Sequence, residues 1–170
     1  MGTSRVLNTI AIYRQEGKEG VINDTVMGEA ASSTWKAGAP LTHVDSTSRY
    51  IQVWAGGTDS SKIIGVAAKD ATGTTGAAVP YYEANDYNLF SASVVNANDT
   101  AAYVLLDDDI GTKYSLVIST TKSLEWYVDK ADTGSTGAKV EIVNTIDPVG
   151  DTNARVVIRF AGGMQANVLQ

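Results

Sequence analysis

The chain has 170 residues, 44% of them hydrophobic, and a formal net charge of −6. That is enough apolar material for one sizeable core or two small β-lobes. A net negative field repels phosphate backbones, and Lys and Arg are scattered singly, so nucleic acid is not expected as a partner. Cysteine is absent, which excludes disulfides, thiolate nucleophiles and cysteine-ligated metal centres.

The N-terminus has no apolar signal segment, and no run approaches the ~18 apolar residues of a membrane helix, so the chain is expected to be made in a cytoplasm without a membrane partner. Arg5 to Tyr13 reads as one strand, with Val6, Ile10 and Ile12 as its apolar members. Gln15 to Gly20 is a charged turn, and a weak segment follows around Val21–Met27. Residues 1–30 are read as an N-terminal arm or edge strand whose order depends on a partner, against the competing reading of an ordinary first barrel strand. Residues 31–170 are read as a β-rich body.

Trp35-Lys36-Ala37-Gly38-Ala39-Pro40 ends in a turn signal. Leu41–Val44 and Tyr50–Trp54 alternate as strands do. Lys62–Ala68 is apolar and β-branched, a buried strand in which Gly65 signals a bulge or a close backbone approach. A Gly/Thr/Ala loop over 70–78 leads to Val79–Tyr82, and Tyr87–Val95 is the next strand, with a soft sub-boundary between two lobes near 81–86. Ala101–Leu106 and Lys113–Ile118 flank Asp107–Thr112 as a hairpin would. Leu124–Asp129, Lys139–Asn144 and Ala154–Phe160 complete the set, with Val156, Ile158 and Phe160 on one face of the last. No helical period of useful length and no simple sequence repeat is visible. The expected fold is all-β: an antiparallel barrel or sandwich, as one body or as two small β-lobes, with an extended arm.

Chemistry-bearing constellations are sparse. Asp107, Asp108 and Asp109 suggest a hard-cation site, but consecutive residues cannot all point one way, and a solvated acidic turn is the favoured reading. His43 is the single histidine; Asp45, Ser46 and Ser48 lie too near it along the chain for triad geometry, and no serine elbow occurs. Glu125 and Asp129 share a strand face at roughly 13 Å, about 3.3 Å per residue, too far for a hydrolytic carboxylate pair. Neither Gly56-Gly57 nor Gly162-Gly163 opens a phosphate-binding helix. No cofactor, metal or catalytic residue is assigned. Exposed aromatics on a β-face anchor interfaces or stack on sugars. Trp126 alternates with Leu124 and Val128 and reads as core. The interface candidates are Arg5, Val6, Ile10 and Tyr13 in the arm, with Trp35 and Trp54 in the body.

Trp35-Lys36-Ala37-Gly38-Ala39-Pro40, followed by Lys62-Ile63-Ile64-Gly65-Val66-Ala67-Ala68-Lys69-Asp70-Ala71, resembles a pattern in head decoration proteins of tailed bacteriophages. The stretch from Ile110-Gly111-Thr112-Lys113-Tyr114 through Trp126-Tyr127-Val128-Asp129 to Gly150–Phe160 resembles the C-terminal β-region of related virion proteins. The resemblance covers roughly residues 35–160. It implies a non-enzymatic cement protein on the outside of an assembled capsid, with the major capsid protein as partner and a homotrimer as the favoured oligomer. It carries no catalytic residues over, and residues 1–34 match no arm pattern. The alternative is a carbohydrate- or receptor-binding module of a phage fibre or tail. A β-sandwich hydrolase built on His43 and the acidic residues is the third reading.

Overall fold

The computed structural model describes residues 10–14, 22–45, 49–56, 62–96, 103–119, 124–133 and 139–161. Its strands, in chain order, are β1 (Ala11–Arg14), β2 (Ile22–Glu29), β3 (Pro40–His43), β4 (Tyr50–Val53), β5 (Ile63–Ala67), β6 (Ala78–Glu83), β7 (Leu89–Val95), β8 (Lys113–Ile118), β9 (Trp126–Asp129), β10 (Val140–Thr145) and β11 (Arg155–Phe160). The one helical element among the described residues is a single 3-10 turn over Asp107–Asp109.

The protein is all-β and contains two closed five-stranded barrels. The first runs β2-β4-β3-β5-β6 and back to β2. The second runs β7-β9-β8-β10-β11 and back to β7. Counted within each barrel, the circular order is the same: first, third, second, fourth, fifth. The first and third strands pair in parallel in both, Gly28 with Tyr50 in one and Val94 with Val128 in the other. Every other neighbour is antiparallel. The repeat that the sequence hides is therefore present in the topology. Closure leaves no row of unpaired backbone groups around either barrel, which is how small β-domains avoid edge-to-edge association.

The segment 1–30, read as an arm or edge strand, divides. β2 is a barrel strand, held between β4 and β6. β1 is an edge strand: it pairs with β7 through Ala11–Ser91 and Ile12–Phe90, on the flank that β9 occupies further along at Val94 and Val95. The chain passes between the barrels at 84–88, where the Asn85 side chain accepts from the Tyr87 and Asn88 amides (3.0 and 2.8 Å) and Asn88 Nδ2 donates to the Glu83 carbonyl at 2.9 Å.

The expected hairpin around Asp107–Thr112 does not form. β8 pairs with β9 and β10 instead, and residues 103–106 lie against 150–152, with Val104 bridging Thr152. A local hairpin would strand the apolar face of β8; between β9 and β10 it buries Tyr114 and Leu116 at 1–2% exposure.

One continuous hydrophobic cluster spans both barrels. Phe90 and Phe160 meet edge to face at 5.3 Å in the second barrel, and Val156, Ile158 and Phe160 share the buried face expected of them. Trp54, just beyond β4, meets Trp126 of β9 at 5.7 Å and so joins the barrels. Gly65 fits the expected bulge and close approach: the β3–β5 register slips beside it, and a Cβ there would stand 2.5 Å from the Tyr82 carbonyl oxygen.

Candidate functional site

β1 is the one strand outside the two barrels among the described residues, and it touches both. It is hydrogen-bonded to the second barrel through β7, while Ile10, Ala11 and Ile12 line an apolar cleft of about 220 Å³ with Val66, Ala67 and Tyr82 of the first. Ile10 is fully buried there, so this interface candidate is a core residue. Alternation then turns Ala11 and Tyr13 outward, and Tyr13 is 55% exposed. The register break between Ile12 and Arg14 places Tyr13 beside the start of β7. Tyr87, 65% exposed, lies two residues before that start. Composition gave no reason to single out Tyr87; the Asn85-x-x-Asn88 turn, whose side chain captures two amides, is the signal that fixes it outward.

Arg5 and Val6 lie outside the described residues. The two tryptophans are corrected. Trp35 is buried, its Nε1 donating to the Lys69 carbonyl at 3.2 Å, because the 30–39 crossover folds its one large apolar side chain inward. Trp54 is buried against Trp126, with Lys139 Nζ 5.5 Å from its ring centroid. Neither presents an aromatic face to a partner.

The acidic residues act as anchors. Asp109 is buried, in contrast to the solvated turn expected for the run, while Asp107 and Asp108 are exposed. Its carboxylate accepts from the Tyr114 and Tyr103 hydroxyls at 2.7 and 3.0 Å and from the Leu106 amide at 2.9 Å, and it pairs with Lys130. Burial, then the bond to Asp109 and its charge, push the Tyr114 hydroxyl well above its ordinary range. Partial burial pulls the Lys130 ammonium down. Asp147, also buried, accepts from the Arg155 amide and guanidinium, which raises the Arg155 pKa. Glu29, in the first barrel, accepts from the Thr72 amide and hydroxyl (2.9 Å each) and the Gly73 amide (2.5 Å).

Glu125 precedes β9, bent away by the left-handed Leu124, and accepts from the Tyr127 hydroxyl at 2.6 Å, so it forms no carboxylate pair along one strand with Asp129. His43 is half-buried at the end of β3 with Nδ1 unbonded, and Ser46 and Ser48 lie outside the described residues. No group of three or more His, Cys, Asp or Glu among the described residues is arranged to hold a metal ion.

These features define a tandem β-barrel protein with a strand laid across its two bodies. No family model, curated protein or solved structure matches the chain.

Proposed function

We propose that this chain is a structural virion protein that binds the outer surface of an assembled bacteriophage capsid and stabilises it across capsomer junctions, acting as a homotrimer. The observation that carries the reading is β1. It lies on two closed barrels with an outer edge that is unpaired among the described residues, lines an apolar cleft through Ile10–Ile12, and carries the exposed Tyr13, while Tyr87 is exposed just before β7. An open strand edge with aromatic anchors suits capture of an extended segment from a neighbouring protein. The major capsid protein is the proposed partner, and repetition over a shell multiplies a modest contact into avidity.

Purified protein mixed with expanded, undecorated heads is expected to bind stoichiometrically and to raise their heat resistance. Tyr13→Ala with Tyr87→Ala should weaken that binding at unchanged melting temperature. Absence of binding to such heads would sink the reading, and light scattering of the free protein checks the trimer.

The exposed Tyr13 and Tyr87 also favour a second reading, a carbohydrate- or receptor-binding module of a fibre or tail. Clear glycan-array hits lost on replacing Tyr13 and Tyr87 would establish it.

A further inference from the structure

The second barrel carries an apolar patch that its own fold does not consume. Residues 103–106 run extended against 150–152, with the Leu105 amide donating to the Asp151 carbonyl at 3.2 Å and the Gly150 amide to the Leu105 carbonyl at 2.9 Å. Alternation buries Leu105 completely and turns Val104 and Leu106 out, 44% and 49% exposed. The 3-10 turn that follows brings Ile110 back one turn beyond Leu106 at 43% exposed, and Val149 adjoins Gly150 at 41%. Four exposed branched aliphatic residues thus fall on two segments, 104–110 and 149–152, that these bonds hold side by side.

Two observations separate this patch from incidental surface. The same slot in the first barrel, the crossover from first to second strand, turns its large apolar residue Trp35 inward. An outward-facing set in the second barrel is therefore not dictated by the topology. The patch also borders two exposed carboxylates, Asp107 and Asp108, which make no side-chain hydrogen bond or ion pair among the described residues. An exposed aliphatic cluster with a polar rim is the usual anatomy of a protein interaction site.

We infer that Val104, Leu106, Ile110 and Val149, with Asp107 and Asp108 as rim, form a docking surface for a protein whose contact face is aliphatic and bordered by Lys or Arg. Charge selects this occupant over a second copy of the chain. An isologous contact would set Asp107 and Asp108 against their own counterparts, and the net charge of −6 adds to the repulsion. The surface lies apart from β1, and the inference stands whether or not the chain decorates a capsid.

The test uses the full-length protein and two designed 18-residue amphipathic helical peptides, one of Leu and Lys and one of Leu and Glu. Methyl-labelled NMR is expected to show the Leu/Lys peptide shifting Val104, Leu106, Ile110 and Val149, with affinity falling as salt rises, and no response to the Leu/Glu peptide. Leu106→Ser with Ile110→Ser should weaken binding at least tenfold without moving the melting temperature. Asp107→Lys with Asp108→Lys should reverse the preference between the peptides. Shifts elsewhere, equal response to both peptides, or unchanged binding by the Asp107/Asp108 variant would overturn the inference. So would a concentration-dependent dimer in sedimentation that the Leu106/Ile110 variant abolishes, since it would show a second copy on the patch.

Discussion

The two barrels share one topology and hold it in different ways. In the first, closure relies on glycine and on neutral donors. A Cβ on Gly28 would stand 2.7 Å from the Gly76 carbonyl carbon, and Gly65 is pressed as tightly against Tyr82. The single buried carboxylate described there, Glu29, is met by two amides and a hydroxyl. In the second, Gly111 and Gly150 have open space around them, and the crossovers are tied by charge, Asp109 to Lys130 and Asp147 to Arg155. The equivalent registers make the contrast sharp: Glu29 faces Ile51 where Val95 faces Asp129. One barrel shape thus tolerates either close backbone contact or charged fastening, and the two should fail under different stresses.

The largest expected difference is between the anchors. Asp109→Asn removes the buried partner of a partly buried ammonium and leaves two tyrosine hydroxyls facing an amide, at a cost of about 3–5 kcal/mol. Glu29→Gln keeps one good acceptor among neutral donors and should cost about 1–2 kcal/mol. Urea unfolding of both variants measures the gap; equal losses would erase the distinction drawn between the barrels. Gly65→Ala should come between them, at about 1–3 kcal/mol, because β5 must move away from the Tyr82 backbone. Hydrogen exchange should place its damage in β5 and β6 and leave β8–β11 protected.

Much of this architecture was legible along the chain, for a physical reason. Half-buried strands advertise themselves through alternation, so Lys113–Ile118 coincides with β8 and Ala154–Phe160 brackets β11. Pairing is a long-range choice and leaves little local trace. The hairpin expected around Asp107 does not form because residues 101–106 have strand-like composition, yet Val104 bridges Thr152 far along the chain. Trp35 and Trp54 read as interface candidates in the sequence because their burial depends on partners far along the chain, Lys69 and Trp126. Tyr13 could be picked out; Tyr87 depended on a side-chain turn that composition does not reveal.

Alkaline pH probes the charged anchor from another side. The Tyr114 hydroxyl is held above its ordinary 10.0, so the folded state keeps a proton that the unfolded chain releases. That stability is fully present below pH 10 and is lost as pH rises towards the folded value, at about 1.4 kcal/mol per unit. Lys130 acts in the opposite sense: its depressed pKa makes stability climb as pH approaches 10.5 and adds nothing beyond. The net decline should therefore be steepest above about pH 10.5, where the unfolded lysine has also lost its proton. Denaturation midpoints across that range are expected to fall for the native sequence and to flatten for Tyr114→Phe; an identical slope in the variant would remove Tyr114 as the cause.

The smallest expected effect tests how far the charged fastening of the second barrel extends. Its fourth and fifth strands place Glu141 directly opposite Arg159, with both guanidinium contacts at 3.2 Å. The corresponding ladder of the first barrel sets Val66 against Tyr82 and Ala67 against Tyr81. The Arg159 side chain is 43% exposed, so water and salt screen the pair, and a double-mutant cycle should return about 0.2–1 kcal/mol. At 1 M salt, where the screening length is about 3 Å, the coupling should vanish. Asp109 and Lys130, shielded from the ions, should keep most of theirs. If instead the Glu141–Arg159 coupling survives high salt, the charged fastening reaches the barrel wall itself, and the second barrel differs from the first along its strands as well as in its crossovers.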